Sequence, residues 1–155
     1  MKSFEIEDIK GFMNELLLSE KYDSFYLYEI RLKTKLDYYI SGRINKDFYD
    51  EEESPDELCD YIKWQEVKQI IFELIKGKRL PISIKAVLLF NRENITRLIE
   101  MNNLPVNPED VNNLSLNIFY ENRQLTVTTG TSIKIFSMDK TLDNMWDETI
   151  EKYYI

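Results

Sequence analysis

The side chains best able to do chemistry in this chain are carboxylates, because it has no histidine and only one cysteine, Cys59. Asp47, Asp139, Asp143 and Asp147 are the candidates. Two carboxylates at the right separation can hold magnesium or act as acid and base in glycoside hydrolysis. The spacing of Asp143 and Asp147 describes the solvated face of a helix equally well. A lone thiol makes no intramolecular disulfide, and without imidazoles or a second thiol it is a poor metal ligand. No glycine-rich nucleotide motif is present, and no cofactor is expected. The run Thr128-Thr129-Gly130-Thr131-Ser132 offers hydroxyls but lacks the lysine and leading glycine of a phosphate loop, so a strand junction or bulge at Gly130 is the expected reading. Asp50 to Asp60 reads DEEESPDELCD. A calcium loop would place a glycine at its sixth position, and none stands there. Self-repelling charge around a proline instead predicts a solvated acidic loop over 50–60.

Binding candidates come next. Lys76, Lys78 and Arg79 flank Gly77 just past a predicted helix, where they could grip an anionic partner or simply complement the helix C-terminus. Trp64 and Trp146 are expected core anchors, either of which could reach an interface. Ten tyrosines and eight phenylalanines could stack bases. Yet no lysine or arginine is interleaved with Tyr22, Tyr26 and Tyr28, and 28 acidic against 20 basic residues give a net charge of -8. That field repels phosphate backbones and anionic membrane surfaces. A protein partner is expected ahead of nucleic acid.

These residues must be positioned by elements that the periodicities predict. Ser3 to Ile6 alternates like a strand, and Ile9, Phe12, Met13, Leu16 and Leu17 recur at helical spacing behind the acidic Glu7 and Asp8. Tyr26, Tyr28, Ile30 and Leu32 predict a strand that turns back into Tyr38 to Gly42, with a third strand expected through Ile44 to Tyr49. Trp64, Val67, Ile70, Ile71, Leu74 and Ile75 mark a helix that Gly77 terminates. Ile82 to Phe90 alternates as a buried strand, and Asn91 caps the helix of Ile95, Leu98 and Ile99. Leu114 to Tyr120, a turn at Glu121 to Gln124, and Leu125 to Gly130 predict a hairpin, with Ile133 to Phe136 as a last strand. Leu142, Met145, Trp146, Thr149, Ile150 and Tyr153 form the apolar stripe of a C-terminal helix.

Residues 2–50 and 82–138 thus share an order of strand, helix and three strands, with Ser41-Gly42 opposite Thr129-Gly130 and Phe48 opposite Phe136. Two such βαβββ units in one domain resemble the arrangement of DNA sliding-clamp domains, to which the middle and C-terminal helices would be additions. A second resemblance covers nearly the whole chain. It is carried by Ile40-Ser41-Gly42-Arg43-Ile44-Asn45-Lys46-Asp47-Phe48, Glu73-Leu74-Ile75-Lys76-Gly77-Lys78, Leu116-Asn117-Ile118, Thr129-Gly130-Thr131-Ser132, Asp139-Lys140 and Trp146-Asp147. By these the chain resembles an uncharacterised family of small proteins from clostridial-type bacteria, a domain of unknown function. That resemblance implies no activity.

The sequence therefore predicts one α+β domain over 1–155, with a mostly antiparallel sheet and helices on one face. Its N-terminus lacks the order of a secretory signal, and its longest apolar run, Ala86 to Phe90, is too short to span a bilayer, so a cytoplasmic protein is expected. The expected role is non-catalytic protein binding or scaffolding, through an exposed sheet edge or an apolar groove beside the Trp64 helix. The runner-up is a clamp-like, nucleic-acid-associated oligomer with a basic helical face. Third is a carboxylate enzyme, which should show a deep cleft where acidic groups converge.

Overall fold

The computed structural model describes residues 1–50 and 60–155, so most of the expected acidic loop, with Cys59, lies outside the described residues. The described chain runs β1 (Ser3–Ile6), α1 (Ile9–Leu18), β2 (Phe25–Lys33), β3 (Asp37–Ser41), α2 (Trp64–Ile75), β4 (Ser83–Phe90), α3 (Arg92–Met101), β5 (Val111–Glu121), β6 (Gln124–Ile133) and α4 (Thr141–Tyr153). Every strand pairs antiparallel in one open sheet of order β1-β6-β5-β4-β2-β3, with β1 and β3 at its edges.

Local chemistry sets the element ends. The Asn91 side chain accepts from the Asn94 amide at 2.8 Å to cap α3, as the sequence predicts, and the Asp8 carboxylate, expected only as favourable charge at a helix start, accepts from the Gly11 amide at 3.0 Å to cap α1. α2 stops at Ile75, two residues before Gly77. The β5–β6 hairpin turns on Asn122 and Arg123, both in the left-handed region at φ 53° and 62°, which is the type I′ geometry matched to strand twist.

Alternation puts Leu27, Ile30, Ala86, Leu88, Leu116, Ile118 and Val127 on one side of the sheet, where the helices bury them. The buried stripes of the helices, among them Phe12, Leu16, Ile71, Ile99, Trp146 and Ile150, close a single core against that side. Arg31, Lys85, Phe119 and Thr126 project from the opposite face, which no described helix covers.

Two expected strands are absent. Residues 44–49 make a bridge and a turn: Arg43 pairs with Tyr61, the Ile44 amide donates to the Asp60 carbonyl, and Lys46–Phe48 coils as a 3-10 turn. Lys46 interrupts the period-two pattern between Ile44 and Phe48, so that segment has no apolar side to bury. Ile133 is the end of β6, and beyond it Phe136 is 90% exposed. β6 runs straight through Gly130, where a Cβ would lie 2.6 Å from the Ser115 hydroxyl directly opposite. Gly130 therefore makes room for Ser115. The register shifts fall at Tyr28 and Asn112. Each half contributes a βαββ run rather than the expected βαβββ, and the runs pair differently: β4 lies beside β5, whereas β6, β5 and β4 separate β1 from β2.

Candidate groove between the first two helices

α1 and α2 are tied together near Leu16 and Ser19. The Trp64 indole donates to the Leu16 carbonyl at 2.8 Å, and the Lys68 ammonium donates to the Ser19 carbonyl at 2.8 Å and to Asp23 at 2.7 Å. Ile9 and Met13 of α1 and Phe72 and Ile75 of α2 line a hollow of about 500 Å³, over a floor of Ile84 and Tyr120 from the sheet. Leu18 and Leu80 stand at its lips, 59% and 69% exposed. Ile9, Met13, Leu18, Phe72 and Ile75 stand there because both helices carry more apolar residues than one core-facing stripe can bury, and Leu80 comes from the connection that follows α2. In α1, Phe12, Leu16 and Leu17 are buried while Ile9, Met13 and Leu18 remain at least partly open. In α2, Trp64, Val67 and Ile71 are buried while Phe72 and Ile75 are left half-covered. Solvent-facing apolar surface of this kind, rimmed by polar groups, makes this hollow the candidate site.

The rim is basic. Lys10, Lys76 and Arg123 border the hollow, and no acidic residue is among the groups lining it. Lys76 pairs with Glu73 at 2.6 Å, while no carboxylate among the described residues lies within ion-pair distance of Lys10 or Arg123. Of the predicted binding residues, Lys76 reaches the rim, and Lys78 and Arg79 lie exposed in the connection that leads to Leu80. Trp64 and Trp146 are fully buried and present no surface. Their indoles fix the framework instead, Trp64 by its bond to α1 and Trp146 by donating to the Ser115 carbonyl at 2.9 Å.

The candidate carboxylates have a largely structural setting. Thr129 and Thr131 point from β6 toward α4, and their hydroxyls donate to Asp147 and Asp143 respectively. Two strand residues and four helical residues both advance by roughly 6–7 Å, so the pairs form matching rungs. Asp139 accepts from the hydroxyl and amide of Thr141, and these bonds hold its carboxyl below the usual carboxylate range. Asp139 and Asp143 do share a small hollow of about 210 Å³ with Asp110, which the sequence did not single out. No group of three or more acidic or thiol side chains among the described residues is placed to hold a metal ion. Asp47 sits apart on its 3-10 turn, exposed.

Across the bare sheet face, cross-strand register aligns Tyr39, Arg31, Lys85 and Phe119 in one row. Arg31 lies over the Tyr39 ring at 4.7 Å, and the Tyr39 phenol is held above its usual range by its hydrogen bond to Glu29. The two cations stand directly opposite one another.

Residues 15–155 match the family described as a family of unknown function (DUF5721), and the chain belongs to that family. No curated protein and no solved structure shows a significant match to it. No helix among the described residues is long and apolar enough to cross a membrane.

Proposed function

We propose that this DUF5721 protein is a non-catalytic binding module of the cytoplasm, which holds an apolar helical segment of a partner protein in the groove between α1 and α2. One observation carries the reading: the groove is floored and walled by apolar side chains, and Leu18 and Leu80 at its lips are left in water. A helix laid between two helices presents anchors at the i, i+3, i+4 and i+7 spacing that such a trough accepts. Burying the two lip side chains would contribute a few kcal/mol to association, at roughly 1.5–3 kcal/mol for each fully buried leucine.

The test is affinity capture of the tagged protein from native-host lysate, with and without nuclease, beside a Leu18→Glu/Leu80→Glu variant. Both positions are exposed, so the variant retains the fold. A stoichiometric partner that survives nuclease and disappears with the variant supports the reading. A partner retained equally by both proteins defeats it.

A second reading, association with single-stranded nucleic acid, is favoured by the row of Tyr39, Arg31, Lys85 and Phe119. Stacking rings beside cations that make no ion pair among the described residues suit bases and phosphates. Against it stands the net charge of -8. Lys85→Glu separates the two: it should abolish retention of a short labelled oligonucleotide if this reading holds, and leave partner capture unchanged if the first one does.

A further inference from the structure

Resting on the groove reading above, we infer that the partner segment is an acidic one, an amphipathic helix whose flanks carry Asp or Glu, and that Arg123 is its specificity-determining contact. The chain has 28 acidic and 20 basic residues, yet the side chains that line this groove include three cations and no acid; Lys76 is paired with Glu73, so Lys10 and Arg123 carry the rim's uncompensated charge among the described residues. In a molecule of net charge -8 the local reversal of sign is selective. The rim draws an acid-flanked helix against the overall negative field, and it opposes a base-flanked one that this field would otherwise favour.

The backbone at Arg123 supplies an independent observation. Arg123 occupies the second position of the β5–β6 turn at φ 62°, where glycine is the residue without a steric penalty. A strained residue at the rim of a cavity is a pointer to function, because the fold itself would do better with glycine. What arginine adds there is a guanidinium at the groove, with no carboxylate among the described residues within ion-pair distance. Lys10, in the first turn of α1, sits similarly unpaired on the same rim. A helix N-terminus disfavours a cation, so its position there is also one that stability does not explain.

The test selects binders from a random-peptide display library on the intact protein. Their affinities are then compared for the wild type, Lys10→Glu/Arg123→Glu, Arg123→Gly and Leu18→Glu/Leu80→Glu. The expected binders carry apolar residues at helical spacing with Asp or Glu beside them. They weaken about tenfold or more on the double charge reversal, about three- to tenfold on Arg123→Gly, and are lost on the lip variant. The reversed protein, used as bait, should in turn select Lys or Arg flanks. Binders lost on the lip variant but indifferent to both charge variants would overturn the acidic-partner inference and leave the groove reading standing. Binders indifferent to the lip variant would overturn both. Arg123→Gly relieves the turn rather than straining it, so its weaker binding cannot come from misfolding.

Discussion

Arg123 is the residue at which stability and binding pull apart. A left-handed conformation costs a non-glycine residue roughly 1–2 kcal/mol, partly offset by the greater unfolded-state freedom of glycine. Arg123→Gly should therefore leave thermal stability unchanged or raise it by up to about 1 kcal/mol, and a fall in the unfolding midpoint would show that the arginine serves the fold. Gly42 is the opposite case. A Cβ there would stand 1.8 Å from the Leu27 carbonyl oxygen, so Gly42→Ala should cost about 1–3 kcal/mol in denaturant titration. Tyr22 sets the alkaline limit. Burial first, then the negative charge of Glu15, pushes its phenol well above the ordinary tyrosine range, while the hydroxyl donates to the Tyr154 carbonyl at 2.7 Å. The folded state thus keeps a proton that the unfolded chain releases. The stability involved is fully present below about pH 10 and is lost as pH rises beyond it, and Tyr22→Phe should flatten that limb of the stability profile.

At the scale of elements, α4 is held to β6 by the Thr129–Asp147 and Thr131–Asp143 rungs and by Trp146, buried among Phe25 and Phe90. A double-mutant cycle of Thr131→Val with Asp143→Ala should give a coupling of about 1 kcal/mol, and a coupling near zero would mean that packing alone docks the helix. Why these carboxylates look catalytic in the sequence is then clear. Their four-residue spacing is the helix's half of a strand-to-helix match, and the strand's half, Thr129 and Thr131, reads as an unrelated hydroxyl run. The helices were legible because the apolar stripes announce their faces and Asn91 announces one start, while Glu7 and Asp8 read only as favourable charge and Lys63 and Lys140 begin α2 and α4 without a side-chain cap. The strands at 44–49 and beyond Ile133 were misread, because two apolar residues at even spacing mimic a strand wherever no pairing partner is tested. Traces of the groove were present as well, in the surplus apolar residues of α1 and α2 and in Leu18 and Leu80. Which residues of each helix the core would leave uncovered depended on the crossing of α1 and α2, which no local pattern contains.

The described residues form an open sheet covered by helices on one side, in a chain that is acidic overall, with the basic-rimmed apolar trough of α1 and α2 among those helices and a strand face that no described helix covers behind them. Those two surfaces make different demands on a partner. Binding through the trough should weaken with salt only as far as its few rim charges contribute, whereas a nucleic-acid platform on the sheet face would lose affinity steeply as salt rises. Titration of any captured partner against potassium chloride is expected to show the shallow dependence. The most direct measurement is site-specific photo-crosslinking in cells, with a photoreactive residue introduced at Leu80 on the groove lip and, in a separate protein, at Tyr39 on the bare face, which are 69% and 58% exposed. A discrete protein adduct from position 80 and none from position 39 is the predicted result. An adduct from position 39 alone, or only nucleic acid trapped at either position, would contradict the account.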